Sequence, residues 1–205
     1  MQQVYKEGNR IVGKPDPGKS ANERLITVEE YTESWVEEYK AEAERLREVF
    51  GELLVGIHHI GSTSVPGLAA KPVIDFLVEA ADIDRVDELN DRMLKLGYEA
   101  RGEYGIPSRR FFPKGGNQRS HHVHVFPVGH HRVKDHLLFR DYLRAFPEEA
   151  RAYEKLKRSL ADEFPHDIDG YCDGKDEFIK ELNRRAERWA ANKAENRAPG
   201  EKDEV

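Results

Sequence analysis

The feature that most constrains this chain is a pair of short apolar runs, Leu53 to Ile60 (LLVGIHHI) and Val73 to Val78 (VIDFLV), joined by the turn-rich GSTSVPGLAAKP. Both runs are too short for ordinary helices and rich in β-branched residues, so they read as buried, neighbouring strands of one sheet. One charge interrupts them. Asp75 sits among Val73, Ile74, Phe76, Leu77 and Val78. Burying an unpaired carboxylate is costly, and a metal ion or another cation is the usual remedy. The structural alternative is an Asp75 carboxylate that accepts backbone hydrogen bonds at a strand end.

The rest of the chain supplies the layers around that sheet. Ile26 and Val28 alternate with Thr27 as in a short strand. Trp35, Tyr39, Ala43, Leu46 and Phe50 then recur at spacings of three and four, with Gly51 after them, which predicts an amphipathic helix over 33–50. A second helix is expected over 84–95, with Val86, Leu89, Met93 and Leu94 on its apolar face. Tyr98 to Arg101, Arg109 to Pro113 and His121 to Pro127 read as further strands, the last two joined by a hairpin at Gly115, Gly116 and Asn117. After Gly129 the pattern is helical in three segments, carrying Leu137 to Tyr142, Ala152 to Leu160 from Pro147 onward, and Phe178 to Trp189. The fold class is therefore α/β (α+β), a small mixed sheet flanked by helices with a helical C-terminal third. A single domain is expected over 23–191, between flexible tails at 1–22 and 192–205 that are rich in Gly, Pro and charge.

Composition narrows the class of partner. With 33 basic and 39 acidic residues the formal charge is -6, which on average repels nucleic acid and anionic membrane and sends any polyanion to a cleft. No basic stripe interleaved with aromatics is present, so a nucleic-acid partner is not expected. The lone Cys172 excludes an internal disulfide framework and a Cys-rich zinc site. No stretch approaches the roughly 20 apolar residues that span a bilayer, and the first twenty residues lack the apolar run of a signal peptide. The expectation is a soluble, cytoplasmic protein with no membrane partner.

The chemistry concentrates at strand ends. Gly61, Ser62, Thr63 and Ser64 follow the first strand directly, where a glycine turn, three hydroxyls and free backbone amides can cradle a phosphate. Lys71 lies just before Pro72, within reach of the same sheet end. Arg109, Arg110, Arg119 and Lys175 are further cations suited to a triphosphate tail, and Arg110 and Lys175 join Lys71 in the expected phosphate-binding set. His122 and His124 flank Val123, so a strand puts both rings on one face with Cβ atoms roughly 7 Å apart. His59 and His121 face the other way from His58 and His122. His130, His131 and His136 are expected in solvent. Arg140 and Arg144, at i and i+4, read as a structural salt-bridge pair beside Asp141.

The segment HIGSTSVPGLAAKPVIDFLV, followed in order by RSHHVHVFPVG, LLFRDYLRAFPEEARAYEKLK and YCDGKDEFI, resembles the GrpB family over about residues 25–190. That family belongs in fold to the nucleotidyltransferase superfamily. The resemblance implies a Gly-Ser turn for a nucleoside triphosphate, here Gly61 and Ser62. It also implies two carboxylates spaced D-x-D or D-x-E on the next strand, and a third on a later one, holding magnesium. Asp75 matches the first carboxylate, but Leu77 stands at the second. Glu79, about 13 Å along the strand from Asp75, is too far to replace it. The H-x-H strand takes the place of the third. A metal set of Asp75, His122 and His124 favours a softer ion such as manganese or zinc over magnesium, or the two imidazoliums bind phosphate without metal.

Two functions follow from the resemblance. The first is a metal-dependent nucleotidyltransferase that binds a nucleoside triphosphate with Mg or Mn, with Asp75 and His124 as catalytic residues, and transfers a nucleotidyl group to a small acceptor. The second is a nucleotide- or phosphate-binding module without transfer activity. GrpB-like domains also occur fused to dephospho-CoA kinase, so a coenzyme A related ligand is one candidate for such a module.

Overall fold

The computed structural model describes residues 25–196. The tail expected over 1–22 lies outside the described residues, as does 197–205 of the tail expected from Asn192 onward.

Four strands make one sheet: β1 (Leu54–Ile60), β2 (Ile74–Ala80), β3 (Arg110–Lys114) and β4 (His121–Pro127). Their order is β1-β2-β4-β3, with β1 antiparallel to β2, β2 parallel to β4, and β3 antiparallel to β4. The sheet is mixed, as its sequence pattern implies. Strand periodicity of two then divides the side chains between two faces. Ile74, Phe76, Val78 and Ala80 of β2, with Val123 and Val125 of β4 and Phe112 of β3, pack against helix α1 (Ser34–Phe50) through Trp35, Ala43, Leu46 and Phe50. Asp75, Leu77 and Glu79 take the opposite parity, and Leu77 packs with Ile60, Phe126, Ile106 and Val133.

The second face is covered by helix α3 (His131–Ala145), which carries Val133 and the partly buried Leu137. Helices α4 (Pro147–Glu163) and α5 (Ile168–Glu195) complete the helical third. Pro147 opens α4, where its missing N–H costs nothing, and Asp167 caps α5 by accepting from the amides of Asp169 and Gly170 at 3.1 and 3.0 Å. Val65 and Leu68, from the loop between β1 and β2, bury among Tyr142, Leu143, Tyr153 and Leu182, tying the turn after β1 to all three helices. Gly174 is where α5 closes on α4: a Cβ there would overlap the Leu160 side chain. Helix α5 runs through Asn192 to Glu195, into the segment read from sequence as tail.

Three expected elements come out differently. Ile26 and Val28 make no strand: the segment meets the fold by one bridge, Glu29 to Ala70, while the Ile26 amide donates to Pro165 O at 2.8 Å and its side chain packs near Leu160 and Tyr171. The helix expected over 84–95 begins as a 3-10 turn, Arg85–Leu89, before α2 (Asn90–Lys95). The tighter pitch of that turn shifts the helical phase, and Leu94 ends 64% exposed while Val86 and Met93 are fully buried. Tyr98 to Arg101 is a single bridge, Tyr98 to Lys114, beside β3. Among the described residues no helix is long and apolar enough to cross a membrane.

Candidate functional site

Register brings Asp75 of β2 opposite His122 of β4, and Leu77 opposite His124. Because β2 and β4 run parallel, Asp75, His122 and His124 share the face beneath α3. His122 Nδ1 lies 3.0 Å and His124 Nε2 3.9 Å from Asp75 Oδ1. One ligand atom from each of the three lies within 4.8 Å of the others. The Phe111 ring, 5.4 Å from His122 and 5.1 Å from His124 between centroids, forms one wall. The three side chains stay between 17% and 27% exposed, so solutes can reach them.

Burial by itself would raise the Asp75 carboxyl, but His122 and His124 more than offset it and hold the group well below the usual carboxylate range. Burial pushes the His124 imidazole down, against the pull of Asp75. An ionised carboxylate beside a neutral imidazole is the protonation state that ligates a cation.

Gly61 follows β1 at φ +71°, a conformation that side chains rarely adopt, and a Cβ there would overlap Asp75 Oδ2. The glycine is therefore required twice, by the backbone and by the closeness of the carboxylate. Ser62, Thr63 and Ser64 form a 3-10 turn behind it. The structure does not bring all three hydroxyls to the site. Thr63, 1% exposed, donates to Val73 O at 3.2 Å and lies 3.1 Å from His59 Nε2. The Ser64 hydroxyl donates to Gly61 O at 2.6 Å. Both hydroxyls hold the turn's shape, with Gly61 against Asp75 and the Ser62 side chain interacting with Tyr153. Arg140 donates to His59 O, and Arg144 donates twice to Ser64 O, so the two α3 arginines, both against Asp141, clamp the backbone on either side of the turn.

The cations divide by strand parity. Arg110, expected at the phosphate site, faces the α1 side, where it pairs with Asp87 at 2.8 and 2.9 Å and with Asp84. Arg109, one residue earlier, takes the other parity and places Nη1 3.5 Å from His124 Nδ1. Lys71 and Lys175 sit 5.0 and 4.2 Å from the same Tyr171 ring. Burial pushes the Lys175 ammonium down, while Cys172 and Asp75 oppose it, so it lies within electrostatic reach of the carboxylate.

Three contributors escaped the sequence reading. Lys157 of α4 is 2% exposed, donates to Ala69 O and lies 4.9 Å from the Tyr153 ring; burial, then Lys175, pushes it down to about 7. Tyr153 is pushed up by burial, with the Ser62 side chain opposing. His136, expected in solvent, instead packs 6.0 Å from the His124 ring, and burial pushes it down to about 3. Helical spacing carries a signal for each: Lys157 falls four residues after Tyr153, and His136 three after Val133, on buried faces.

The sequence pattern of the family described as "GrpB protein" matches residues 25–185. The chain is 48% identical over 177 residues to "UPF0157 protein YqkA" of Bacillus subtilis, covering 86% of this chain and 51% of that protein, so it spans about half the length of that relative. The crystal structure of "conserved protein GrpB" from Enterococcus faecalis superposes with a TM-score of 0.77 at 43% identity, over 80% of this chain and 99% of that one. A "Dephospho-CoA kinase" of Mycolicibacterium paratuberculosis is 28% identical over 181 residues, 76% of this chain and 44% of that protein.

Proposed function

The chain belongs to the GrpB family, and from that premise we propose that it binds a nucleoside triphosphate with a divalent cation and transfers a nucleotidyl group to a small acceptor. The observation that carries this reading is the meeting of Asp75, His122 and His124 against the Gly61 turn. Two imidazoles and a carboxylate are a chemically suitable donor set. Their separations of 3.0 and 3.9 Å from Asp75 Oδ1 bracket the roughly 3.4 Å between ligands of a tetrahedral ion bound at about 2.1 Å. Nitrogen donors favour manganese or zinc over magnesium. A cation held there supplies charge neutralisation on a phosphoryl oxygen.

The chain's own residues supply the rest. Gly61 leaves the backbone close enough to Asp75 for a phosphate to lie against both, and Ser62, next in the chain, offers a hydroxyl and an amide to it. Lys71 and Lys175, from a loop and α5, neutralise the remaining phosphates, while the buried Lys157 of α4 adds its charge near both. Lys157 and Lys175 have no ion pair among the described residues, so a bound polyanion would relieve the repulsion between them. Catalysis of this kind is mostly positioning plus charge complementarity.

A second reading keeps the ligand and drops the transfer: a nucleotide- or phosphate-binding module, with a coenzyme A precursor among its candidate ligands. Leu77 favours it. That side chain is fully buried among Ile60, Phe126, Ile106 and Val133, which leaves no carboxylate to bridge two ions about 4 Å apart.

Isothermal titration with ATP, GTP, CTP and UTP, each with and without Mg or Mn, tests the common part. Saturable binding that needs the cation, and weakens at least tenfold in Asp75→Asn, is the expected result. Absence of binding by every nucleotide rejects the first reading and confines the second to a phosphate or coenzyme A related ligand. Binding without pyrophosphate release across an acceptor panel rejects the first and keeps the second.

A further inference from the structure

Arg109 and Arg110 are sequence neighbours with opposite surroundings. Arg110 is held by the carboxylates of Asp87 and Asp84. Arg109 is more deeply buried, 5% exposed, and has no carboxylate within ion-pair distance among the described residues. Its Nε donates to Glu103 O at 3.1 Å and its Nη2 to Tyr104 O at 2.7 Å, while Nη1 rests 3.5 Å from His124 Nδ1. A guanidinium has five N–H donors, so one on each Nη is left over. The Phe111 ring, 4.9 Å away, backs the group. Arg132, on the first turn of α3, adds a second positive charge close enough to push Arg109 further down, after burial, to about 10. Arg132 likewise has no carboxylate partner among the described residues.

Arg132 stands one helical turn before His136, whose ring lies 6.0 Å from that of His124, so α3 carries it on the side of the fold where Arg109 meets His124. Like charges gathered there without a carboxylate are unfavourable unless an anion joins them, and the planar fork of arginine matches phosphate or carboxylate oxygens. The loop that holds Arg109 is also strained. Tyr104 and Ser108, neither of them glycine, have φ of 44° and 63°. The Glu103 carboxylate stabilises that course by accepting the Ser108 amide at 2.6 Å, and Tyr104 stacks on Phe111 at 5.4 Å. The surrounding contacts thus maintain an uncommon backbone whose carbonyls aim the guanidinium at His124.

Sheet order sets the position. Gly61 and Ser62 follow β1, one strand to one side of Asp75, whereas Arg109 precedes β3, two strand spacings or about 10 Å to the other side. A phosphate at the Gly61 turn and an anion at Arg109 are different groups with the triad between them. We propose that Arg109 and Arg132 form a second oxyanion subsite on the β3 side of the triad, and that it receives the carboxylate or phosphate group of the acceptor. The assignment to an acceptor rests on the nucleotidyl-transfer reading; the oxyanion subsite itself does not.

The test titrates inorganic phosphate, and separately acetate, into the full chain at low ionic strength, followed by calorimetry and by backbone amide shifts of residues 103–106, 108 and 109. Wild type and Asp75→Asn should bind at these residues. Arg109→Met and Arg132→Gln should each weaken that binding at least tenfold, and Arg101→Gln, an exposed arginine on the same edge, should leave it unchanged. Arg132→Gln is the safeguard should Arg109→Met fail to fold. Unaltered binding in Arg132→Gln and in any folded Arg109→Met overturns the subsite. Repeating the phosphate titration after saturation with ATP and Mn separates the sources. Retained binding supports an acceptor group, and competition assigns Arg109 to the nucleotide and overturns the acceptor assignment. If ATP does not bind at all, the transfer reading fails, and the phosphate titration still decides the subsite.

Discussion

The two faces of the sheet are built from the same strands, yet one is a closed core and the other sets a partly exposed polar site beside the apolar cluster around Leu77. On the α1 side, Phe76, Val78, Val123 and Val125 are fully buried, His59 is sealed in and His121 is half-buried against aromatic rings. His59 stacks on Tyr39 at 4.6 Å and meets Thr63, and His121 lies against Phe76, Tyr98 and Ser120. On the α3 side, His122 and His124 meet a carboxylate and remain accessible. Residues one position apart thus differ in role because each strand step reverses the face. On these strands His59 and His121 serve packing, and His122 and His124 are chemically available, as parity dictates.

If that division holds, substitutions on the α1 face move stability, and those of the polar residues on the α3 face move binding. The largest effect is expected for Phe76→Ala, which empties a fully buried ring site beside Tyr39 and should cost about 3–5 kcal/mol in urea unfolding. Metal affinity at Asp75 should change less than threefold under native conditions; a collapse of metal binding would show that the faces are not separable.

Next comes a pH effect. Burial, with Arg144 and Arg140 adding to it and Asp75 opposing, pushes the His59 imidazole from its ordinary 6.5 down to about 4. Between those values the unfolded chain binds a proton that the folded chain refuses. This contribution is therefore fully present above about pH 6.5 and is lost as pH falls toward 4, by up to roughly 3 kcal/mol. Unfolding curves at pH 7.5 and 4.5 should show a smaller acid loss in His59→Gln than in wild type. An equal loss in both proteins would mean that His59 is not sealed as described.

The smallest stability effect is expected at the turn between the faces. Gly61→Ala forces an unfavourable φ and displaces the Asp75 carboxylate, costing about 1–3 kcal/mol. Its effect on binding should be large, with manganese affinity falling at least tenfold. Stability loss with undiminished metal binding would break the link between the turn and the triad.

Much of this arrangement was legible along the chain. The apolar runs located β1, β2 and β4, the three-and-four spacing located α1, and strand alternation put His122 and His124 on one side of their strand. The same alternation, applied to Arg109 and Arg110, would have separated them, since Phe112 of the core shares the parity of Arg110. Thr63 and Ser64 could not be judged from sequence, because a hydroxyl turned inward to Val73 O or Gly61 O has the same spacing as one turned outward. Leu94 and the 26–28 segment were misjudged because a 3-10 turn and a single bridge leave no periodic signature of their own.

The sequence by itself determined the local grammar: which residues alternate on each strand, where glycine must turn the chain, and that a carboxylate is carried into an apolar run. Only the tertiary structure decided that β4 docks parallel beside β2 with β3 outside it, setting His122 against Asp75, and that α4 and α5 bring Lys157 and Lys175 toward the same sheet end. Such pairings join residues far apart in the chain, and they follow from the summed burial of both sheet faces and the helices over them, which no local preference encodes.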